Sequence, residues 1–309
     1  MSTIEQTNVA VSTATAPKLG ERLRRLWVYR GLLLNLTKRD LRIKYKESAL
    51  GFLWSLLNPL MYLVIFYIVF VKIVPAGIPH FTFFFLAGLV PWTLFQNSMF
   101  GATNSVVGGA PLLKRVAFPR EVLPLALIGA NIFTFALQML VLVGVLVIFR
   151  YNFLSPYMLA VVPAFVVECL MLVGFSLILS SLTVYLRDLT HFMELALLFW
   201  FWVTPVVYPI QQVYTKLAAH HISFNWALLN PMIVPILTFQ RAFYRNALQP
   251  VGCPATAPPG TKCTQPILVT FHLGWYFRQL GILFVVSLVL IWLGFIIFGK
   301  AEGNFAEEL

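Results

Sequence analysis

Charged side chains are scarce in this sequence of 309 residues, and acidic side chains are the scarcest. Charged residues make up 11% of the chain, as 22 basic and 11 acidic residues, whereas about a quarter of a soluble domain is charged. Hydrophobic residues make up 60%, and the mean hydropathy is +0.84. This composition excludes an ordinary soluble domain and predicts a polytopic membrane protein. In a membrane protein, an excess of basic residues sets the topology and contacts anionic lipid headgroups. We therefore do not read the net charge of +11 as a sign of nucleic-acid binding, and we expect no nucleic-acid partner.

Motifs for catalysis and nucleotide binding are also missing. Gly299-Lys300 is followed by Ala301, so the chain has no G-x-x-x-x-G-K-[ST] loop to hold ATP phosphates. Neither G-x-S-x-G nor H-E-x-x-H occurs. We therefore expect no enzyme activity, and no catalytic, cofactor or metal site in this chain.

Six uncharged or nearly uncharged stretches are long enough to cross a hydrocarbon core of about 30 Å as helices. They lie at residues 50–72, 82–103, 122–149, 157–183, 192–209 and 279–298. An even number places both termini on one side. Fifteen of the 22 basic residues fall on that side, ten of them before the first stretch. The sequence thus predicts an all-α integral membrane protein whose N- and C-termini are cytoplasmic.

The region before the first span divides in two. Residues 1–21 are rich in Ser, Thr and Ala and are predicted to be a disordered tail. Residues 22–47 mix Leu and Trp with Arg and Lys, which predicts an amphipathic helix lying in the membrane interface. A solvated helix on the protein's own surface is the alternative. Residues 48–309 then form the transmembrane domain.

The connection between spans five and six contains a second apolar segment, Trp226–Phe243, interrupted by Pro231 and Pro235. We interpret it as a re-entrant helical segment, because irregular backbone at membrane depth must be satisfied inside the protein. If it spanned the membrane instead, the C-terminus would lie outside. Within span four, Glu168 is a functional candidate by default, although a structural, hydrogen-bonded carboxyl is the favoured interpretation.

Several motifs occur together and in order along the chain. They are Arg39-Asp40-Leu41, Lys44-Tyr45-Lys46, Leu50-Gly51, Trp54, Pro59, Leu113-Lys114-Arg115, Phe118-Pro119-Arg120-Glu121, Tyr185-Leu186-Arg187-Asp188, Thr204-Pro205-Val206, Tyr208-Pro209 and Asn230-Pro231. In this set and order, the chain from about Arg22 onward resembles ABC-2 type permeases, in particular the Wzm/TagG group that exports lipid-linked polysaccharides. The Cys253–Cys263 loop is not part of the family pattern.

The resemblance implies a half-transporter in the bacterial cytoplasmic membrane. Two copies of the chain would form a homodimeric pore, and two separate nucleotide-binding subunits would bind ATP and Mg. The cargo would be a lipid-linked polysaccharide such as an O-antigen, a teichoic acid or a galactan. The alternatives are an ABC-2 exporter of a small drug or peptide, and a membrane-embedded glycosyl- or acyltransferase.

The resemblance also places the contacts with the ATPase on cytoplasmic charged residues. These partner-coupling residues are Arg39, Asp40, Lys114, Arg115, Arg120, Glu121, Arg187 and Asp188. Charge-assisted hydrogen bonds suit a rigid contact that buries little apolar area. For Lys114, Arg115 and Arg120, a role in setting topology alone explains the charge almost as well.

Aromatic residues make up 15% of the chain. Tyr62, Phe66 and Phe70 follow each other at i, i+4 spacing and share one face of span one. Sugar rings stack on aromatic faces, so we predict that these three residues and Phe199 line the channel. Lipid-facing packing is the alternative for all of them.

The loop from Cys253 to Cys263 generates the first testable prediction. On the predicted outer face these cysteines should form a disulfide, because the intervening Pro, Gly and Thr residues permit close approach. Intact-mass analysis of the alkylated protein without reductant should show no label at either position. Two labelled thiols would contradict the prediction, and reduced protein provides the control.

Overall fold

The computed structural model describes residues 19–45, 53–73, 77–113, 116, 118–244, 247–250, 264–303 and 305. The α-helices among them are α1 (Leu19–Val28), α2 (Arg30–Tyr45), α3 (Leu53–Tyr67), α4 (Phe81–Gly108), α5 (Ala110–Leu113), α6 (Val122–Ile148), α7 (Val161–Tyr185), α8 (Leu189–Val203), α9 (Ile210–Ala219), α10 (Ile233–Phe243) and α11 (Leu273–Glu302). A π-helical turn, Ile68–Ile73, extends α3, and 3₁₀ turns cover Pro156–Ala160 and Phe224–Leu229. Strands β1 (Leu248–Pro250) and β2 (Thr264–Pro266) pair antiparallel. Residues 1–18 of the predicted tail lie outside the described residues, as do Lys114, Arg115, Cys253 and Cys263, whereas residues 19–21 belong to α1.

Four of the described helical stretches are long and apolar enough to cross a membrane. They are Phe81–Gly108, Val122–Ile148, Pro156–Tyr185 and Leu273–Glu302, and they correspond to predicted spans two, three, four and six. The first predicted span is α3 with its π-helical extension. The fifth is α8, which has 15 residues and ends before Pro205. The long helices confirm a mostly helical membrane protein with four candidate spans, whereas α3 and α8 are shorter apolar helices.

The most extensive helix pairing joins α7 and α11. A Cβ atom on Gly174 would lie 2.7 Å from the Leu290 side chain, and one on Gly294 would lie 3.0 Å from the Gly174 carbonyl oxygen. Both distances are too short for any residue but glycine without movement. The two backbones therefore pack directly against each other, as small residues allow in membrane helices.

Helix α4 lies at the centre of the bundle. It contacts α3, α6, α7, α8 and α10, and most of its side chains are buried, including Phe84, Phe85 and Trp92. A Cβ on Gly88 would collide with the amide of Gln240 on α10. This glycine lets α10 approach the middle of α4.

The interrupted segment Trp226–Phe243 contains the second 3₁₀ turn and α10, separated by Asn230-Pro231. The Asn230 amide donates to Thr204 Oγ1 at 2.9 Å, and Trp200 Nε1 donates to Asn230 Oδ1 at 2.8 Å. Gln240 Nε2 donates to the Pro205 carbonyl at 3.0 Å. The structure thus brings the Thr-Pro and Asn-Pro motifs together, and their irregular backbone is satisfied by neighbouring side chains.

The N-terminal segment, expected as one amphipathic helix, consists of α1 and α2. Helix α2 packs on α6, where Thr37 Oγ1 donates to the Ala126 carbonyl at 3.1 Å and Leu36 is buried. On the other side, Trp27 of α1 and Ile43 of α2 are exposed. One face of this segment therefore belongs to the bundle, and the other presents apolar and basic side chains to the surroundings.

The expectation of a hydrogen-bonded Glu168 is wrong. Glu168 on α7 is fully buried, and neither of its carboxyl oxygens has a hydrogen-bond partner among the described residues. Nearby Ser287 on α11 lies 3.4 Å from the Val167 carbonyl but donates its proton to Leu283 at 2.7 Å.

Candidate coupling surface

A buried ion pair joins the N-terminal helix to the start of α6. Arg22 Nη1 donates to Glu121 Oε1 at 2.8 Å, and each side chain is 5% exposed. The pair connects residues 99 positions apart in the sequence. Removing one partner of such a pair costs about 3–5 kcal/mol, because the other charge is left buried and unpaired.

The C-terminal end of α11 completes this cluster. Glu302 Oε2 lies 3.8 Å from Arg22 Nη2, and Arg120 Nη1 donates to the Glu302 carbonyl at 2.8 Å. The Arg120 guanidinium also lies 5.5 Å from the centre of the Phe305 ring. We call Arg22, Arg120, Glu121 and Glu302 the terminal clamp, because they join both ends of the chain to the connection before α6.

Two further contacts fix the position of the clamp. Tyr185, at the end of α7, donates its hydroxyl proton to the Ala301 carbonyl at 3.0 Å. A Cβ on Gly299 would collide with the Arg22 guanidinium, so the glycine is what allows Arg22 to lie against α11. The clamp therefore depends on the close packing of α7 with α11 described above.

A cavity of about 440 Å³ opens beside the clamp. Its walls include Arg25, Tyr29, Phe118 and Pro119, so the Phe-Pro-Arg-Glu motif forms one side and α1 forms the other. Arg25 is exposed and paired with Glu21 at 2.9 Å, one turn away. This concave surface is lined by both charged and aromatic side chains, a combination that suits contact with a segment of another protein.

Among the described residues, the predicted coupling residues Arg39, Asp40, Arg187 and Asp188 do not join the clamp. Arg39 donates to the adjacent carboxylate of Asp40 at 2.8 and 3.0 Å, a local exposed pair on α2 that contributes little to stability. Arg187 and Asp188 are exposed in the turn between α7 and α8. Among the described residues, no ion pair involves either of them, so both are available to a partner.

The structure adds Arg22 and Glu302 to the residues predicted from the sequence. Arg22 is one of ten basic residues that precede the first predicted span. Glu302 follows the last predicted span and belongs to none of the motifs that carry the family resemblance. No motif predicts their pairing, because it depends on where α11 ends relative to α1. Gly299, a glycine in the last turns of an apolar helix, is a weak indication of close packing there.

The rings of Tyr62, Phe66 and Phe70, predicted to share one helix face, form a stack. The ring centroids of Tyr62 and Phe66 are 6.4 Å apart, and those of Phe66 and Phe70 are 5.9 Å apart, at interplanar angles of 22° and 14°. Phe66 also contacts Phe85 on α4 and Phe201 on α8. The inner part of the stack is thus supported by its own chain, while Tyr62 stays 39% exposed.

Phe199 lies apart from this stack. Its side chain is 71% exposed, and no ring contact joins it to the stack among the described residues. The α8 aromatics that reach Phe66 are Phe201 and Trp202. The helical period explains the difference, because Phe199 and Phe201 are about 200° apart around the axis.

Comparison with known proteins decides the family. A sequence model of the ABC-2 type transporter family matches residues 32–237. The chain belongs to this family. It is 30% identical over 290 residues to the O-antigen export system permease protein RfbA of Myxococcus xanthus, which covers 93% of this chain and 98% of that protein. It is 29% identical over 283 residues to RfbA of Klebsiella pneumoniae, at 90% and 95% coverage.

Membership in the ABC-2 family identifies the chain as a membrane subunit of a transporter and not an enzyme. Such a subunit works with an ATPase partner, which accounts for the missing P-loop. The matched region includes α2, the Phe-Pro-Arg-Glu motif and the Arg187-Asp188 turn. The terminal clamp extends beyond it at both ends, to Arg22 and Glu302.

A single methyl group on Gly299 should disrupt the clamp. Gly299→Ala places a Cβ against the Arg22 guanidinium, and we expect a loss of about 1–3 kcal/mol of stability from overpacking. The thermal unfolding midpoint of the purified full chain should fall. Gly303→Ala is the matched control, because a Cβ there meets nothing within 4 Å. Equal midpoints for the two variants would show that the contact does not matter.

Proposed function

We propose that this chain is the permease subunit of an ATP-driven ABC exporter of a lipid-linked cell-envelope polysaccharide. The observation that carries the proposal is the near full-length similarity to permeases named for O-antigen export. The alternatives have less support. A drug or peptide exporter would share the family but not the relatives' names, and a glycosyl- or acyltransferase would require acid–base chemistry that the sequence lacks.

We further propose that the functional unit is a homodimer with two ATPase subunits in the bacterial cytoplasmic membrane. A chain of this kind supplies half of the pore, and the ATP and Mg sites belong to its partners. The proposed topology has six spans with both termini in the cytoplasm and Trp226–Phe243 as a re-entrant segment. Its support is the charge distribution, the Arg22–Glu302 contact between the two ends of the chain, and the burial of α10.

In this proposal the terminal clamp and its cavity transmit the movement of the ATPase to the bundle. A displacement of the Phe-Pro-Arg-Glu motif by the ATPase moves α6, which directly follows the motif. It also moves α11, through the contact between Arg120 and Glu302. The exposed Arg187 and Asp188, along with Arg39 and Asp40, provide additional charged contacts. Lys114 and Arg115 belong to the same connection in the sequence and are assigned the same role.

The aromatic stack is the proposed sliding surface for the glycan. Tyr62, Phe66 and Phe70 present flat faces in a row, and sugar rings pass over such faces without tight binding. Phe199 points away from the stack, so it lines the channel only if the second copy of the chain brings it to the pore.

The transport role can be tested in the complex with the cognate ATPase. The isolated chain should not hydrolyse ATP, whereas the complex should. Cells that lack this chain should accumulate lipid-linked glycan on the cytoplasmic face of the membrane, and restoring the chain should clear it. Normal surface glycan in such cells would contradict the proposed cargo.

Charge reversal at Glu121 tests coupling within the same complex. Glu121→Arg faces Arg22 with a like charge and should weaken assembly or uncouple hydrolysis from export, since disruption of a buried charge pair costs about 3–5 kcal/mol. Lys216→Glu is the control, because Lys216 is exposed on α9, far along the chain from the clamp. If assembly, hydrolysis and export are unchanged in Glu121→Arg, the residue has no role in coupling and serves only the membrane topology.

Removing aromatic rings tests the proposed path. The double variant Tyr62→Ala and Phe66→Ala should reduce export severalfold while the complex still assembles and hydrolyses ATP, because the stacking surface is lost. Val64→Ala with Ile65→Ala is the matched control on exposed positions of the same helix. Normal export by the Tyr62→Ala and Phe66→Ala double variant would show that the stack serves only to pack the helices.

A further inference from the structure

A second cleft lies at the opposite end of the bundle from the terminal clamp. It lies beside the first residues of α4, the last residues of α6 and the segment that precedes α7. Because these are ends of candidate membrane spans, the cleft is at a membrane–water boundary. Two cavities of about 530 and 220 Å³ share Asn152 as a wall, and together we call them the interfacial cleft.

The side chains with a fixed charge in the described lining of the interfacial cleft are two arginines. Arg150 lines the larger cavity beside His80, and Arg241 lines the smaller one. None of the described lining residues is acidic, and no ion pair among the described residues involves either arginine. This cleft therefore carries positive charge that the described part of the chain does not neutralise.

Arg241 is held in place but only partly satisfied. Its guanidinium carbon lies 4.6 Å from the centre of the Tyr157 ring, a cation–π distance. Its Nε is buried without a hydrogen-bond partner among the described residues, and so is the hydroxyl of Ser155 in the same cavity. Buried polar atoms are normally paired, so two unpaired donors in one cavity indicate a missing acceptor.

The walls around these donors are fixed by other contacts. Tyr157 donates its hydroxyl proton to the Phe271 carbonyl at 3.0 Å, and Tyr244 donates to the Pro79 carbonyl at 2.7 Å. Both tyrosine protons are thus used in joining helix ends. Arg241, Ser155 and the Asn152 amide are the remaining side-chain donors among the described residues that line the smaller cavity.

Backbone strain occurs at the same place. His80 and Arg150 both adopt φ of 50°, a left-handed conformation that costs energy for residues other than glycine. At Arg150 this conformation caps α6, since the Tyr151 amide donates to the Leu146 carbonyl at 2.8 Å and the Arg150 amide donates to the Val147 carbonyl at 3.0 Å. The cap therefore fixes the direction of the chain at the cleft and does not by itself indicate a ligand. Both strained residues line the larger cavity.

We infer that the interfacial cleft binds a phosphate anion, with Arg241 and Ser155 as donors in the smaller cavity and Arg150 as a donor in the larger one. Arginine forms paired hydrogen bonds to phosphate oxygens, and the ends of membrane spans lie at the level of lipid headgroups. The phosphate can be that of an anionic lipid headgroup or free inorganic phosphate. The site is independent of the identity of the exported glycan.

Native mass spectrometry of the purified full chain can test this site. Wild-type protein should retain phosphatidylglycerol in preference to phosphatidylcholine, and Arg241→Gln should reduce that retention about tenfold, as expected for a lost charge-assisted contact. Arg150→Gln, at an exposed position, should reduce it in the same direction. Arg241→Lys keeps the charge and should retain most of the lipid.

Arg278→Gln is the matched control, because Arg278 is exposed at the start of α11 and does not line either cavity. A parallel titration with inorganic phosphate, followed by ³¹P line broadening, separates the two sources. If only phosphate binding is lost in Arg241→Gln and Arg150→Gln, the site is a free-phosphate site. If both variants bind lipid and phosphate as the wild type does, or if Arg278→Gln loses as much as they do, the inference is overturned.

Discussion

The direct packing of α7 against α11 is the contact on which the rest of this structure depends. Gly174 and Gly294 let the two backbones meet without intervening side chains, and the helices then remain paired along their length. At one end this pairing brings Tyr185 to the Ala301 carbonyl, and at the other it brings Tyr157 to Phe271. In a membrane, where burial of apolar area between helices gives little driving force, such close packing is a principal source of helix association.

The two ends of the bundle have different chemistry. At the clamp end, basic and acidic side chains are paired, and Arg22 and Arg120 join the Phe-Pro-Arg-Glu motif to α1 and α11. At the other end, Arg150 and Arg241 have no described acidic partner. The first arrangement suits a rigid contact with a protein, whereas the second suits the binding of an anion.

The middle of the bundle has to accommodate irregular backbone. The break at Asn230 is tolerated because its amide bonds to Thr204 and receives the Trp200 proton, and Gln240 satisfies the carbonyl of Pro205. This satisfaction is incomplete, because Gln240 Oε1 and both carboxyl oxygens of Glu168 are buried without a partner among the described residues.

Hydrophobic runs and basic loops were sufficient to predict an all-helical membrane protein, its long spans and the family resemblance, because these properties are local and repeat along the chain. The i, i+4 spacing of Tyr62, Phe66 and Phe70 predicted their stack for the same reason. The partners of Glu121 and Arg120 could not be predicted, since Arg22 and Glu302 are distant in sequence and meet only after α11 packs on α7. The length of α8, the isolation of Phe199 and the unpartnered Glu168 were likewise decided by the tertiary structure, because helix ends and side-chain partners depend on neighbours that no local pattern specifies.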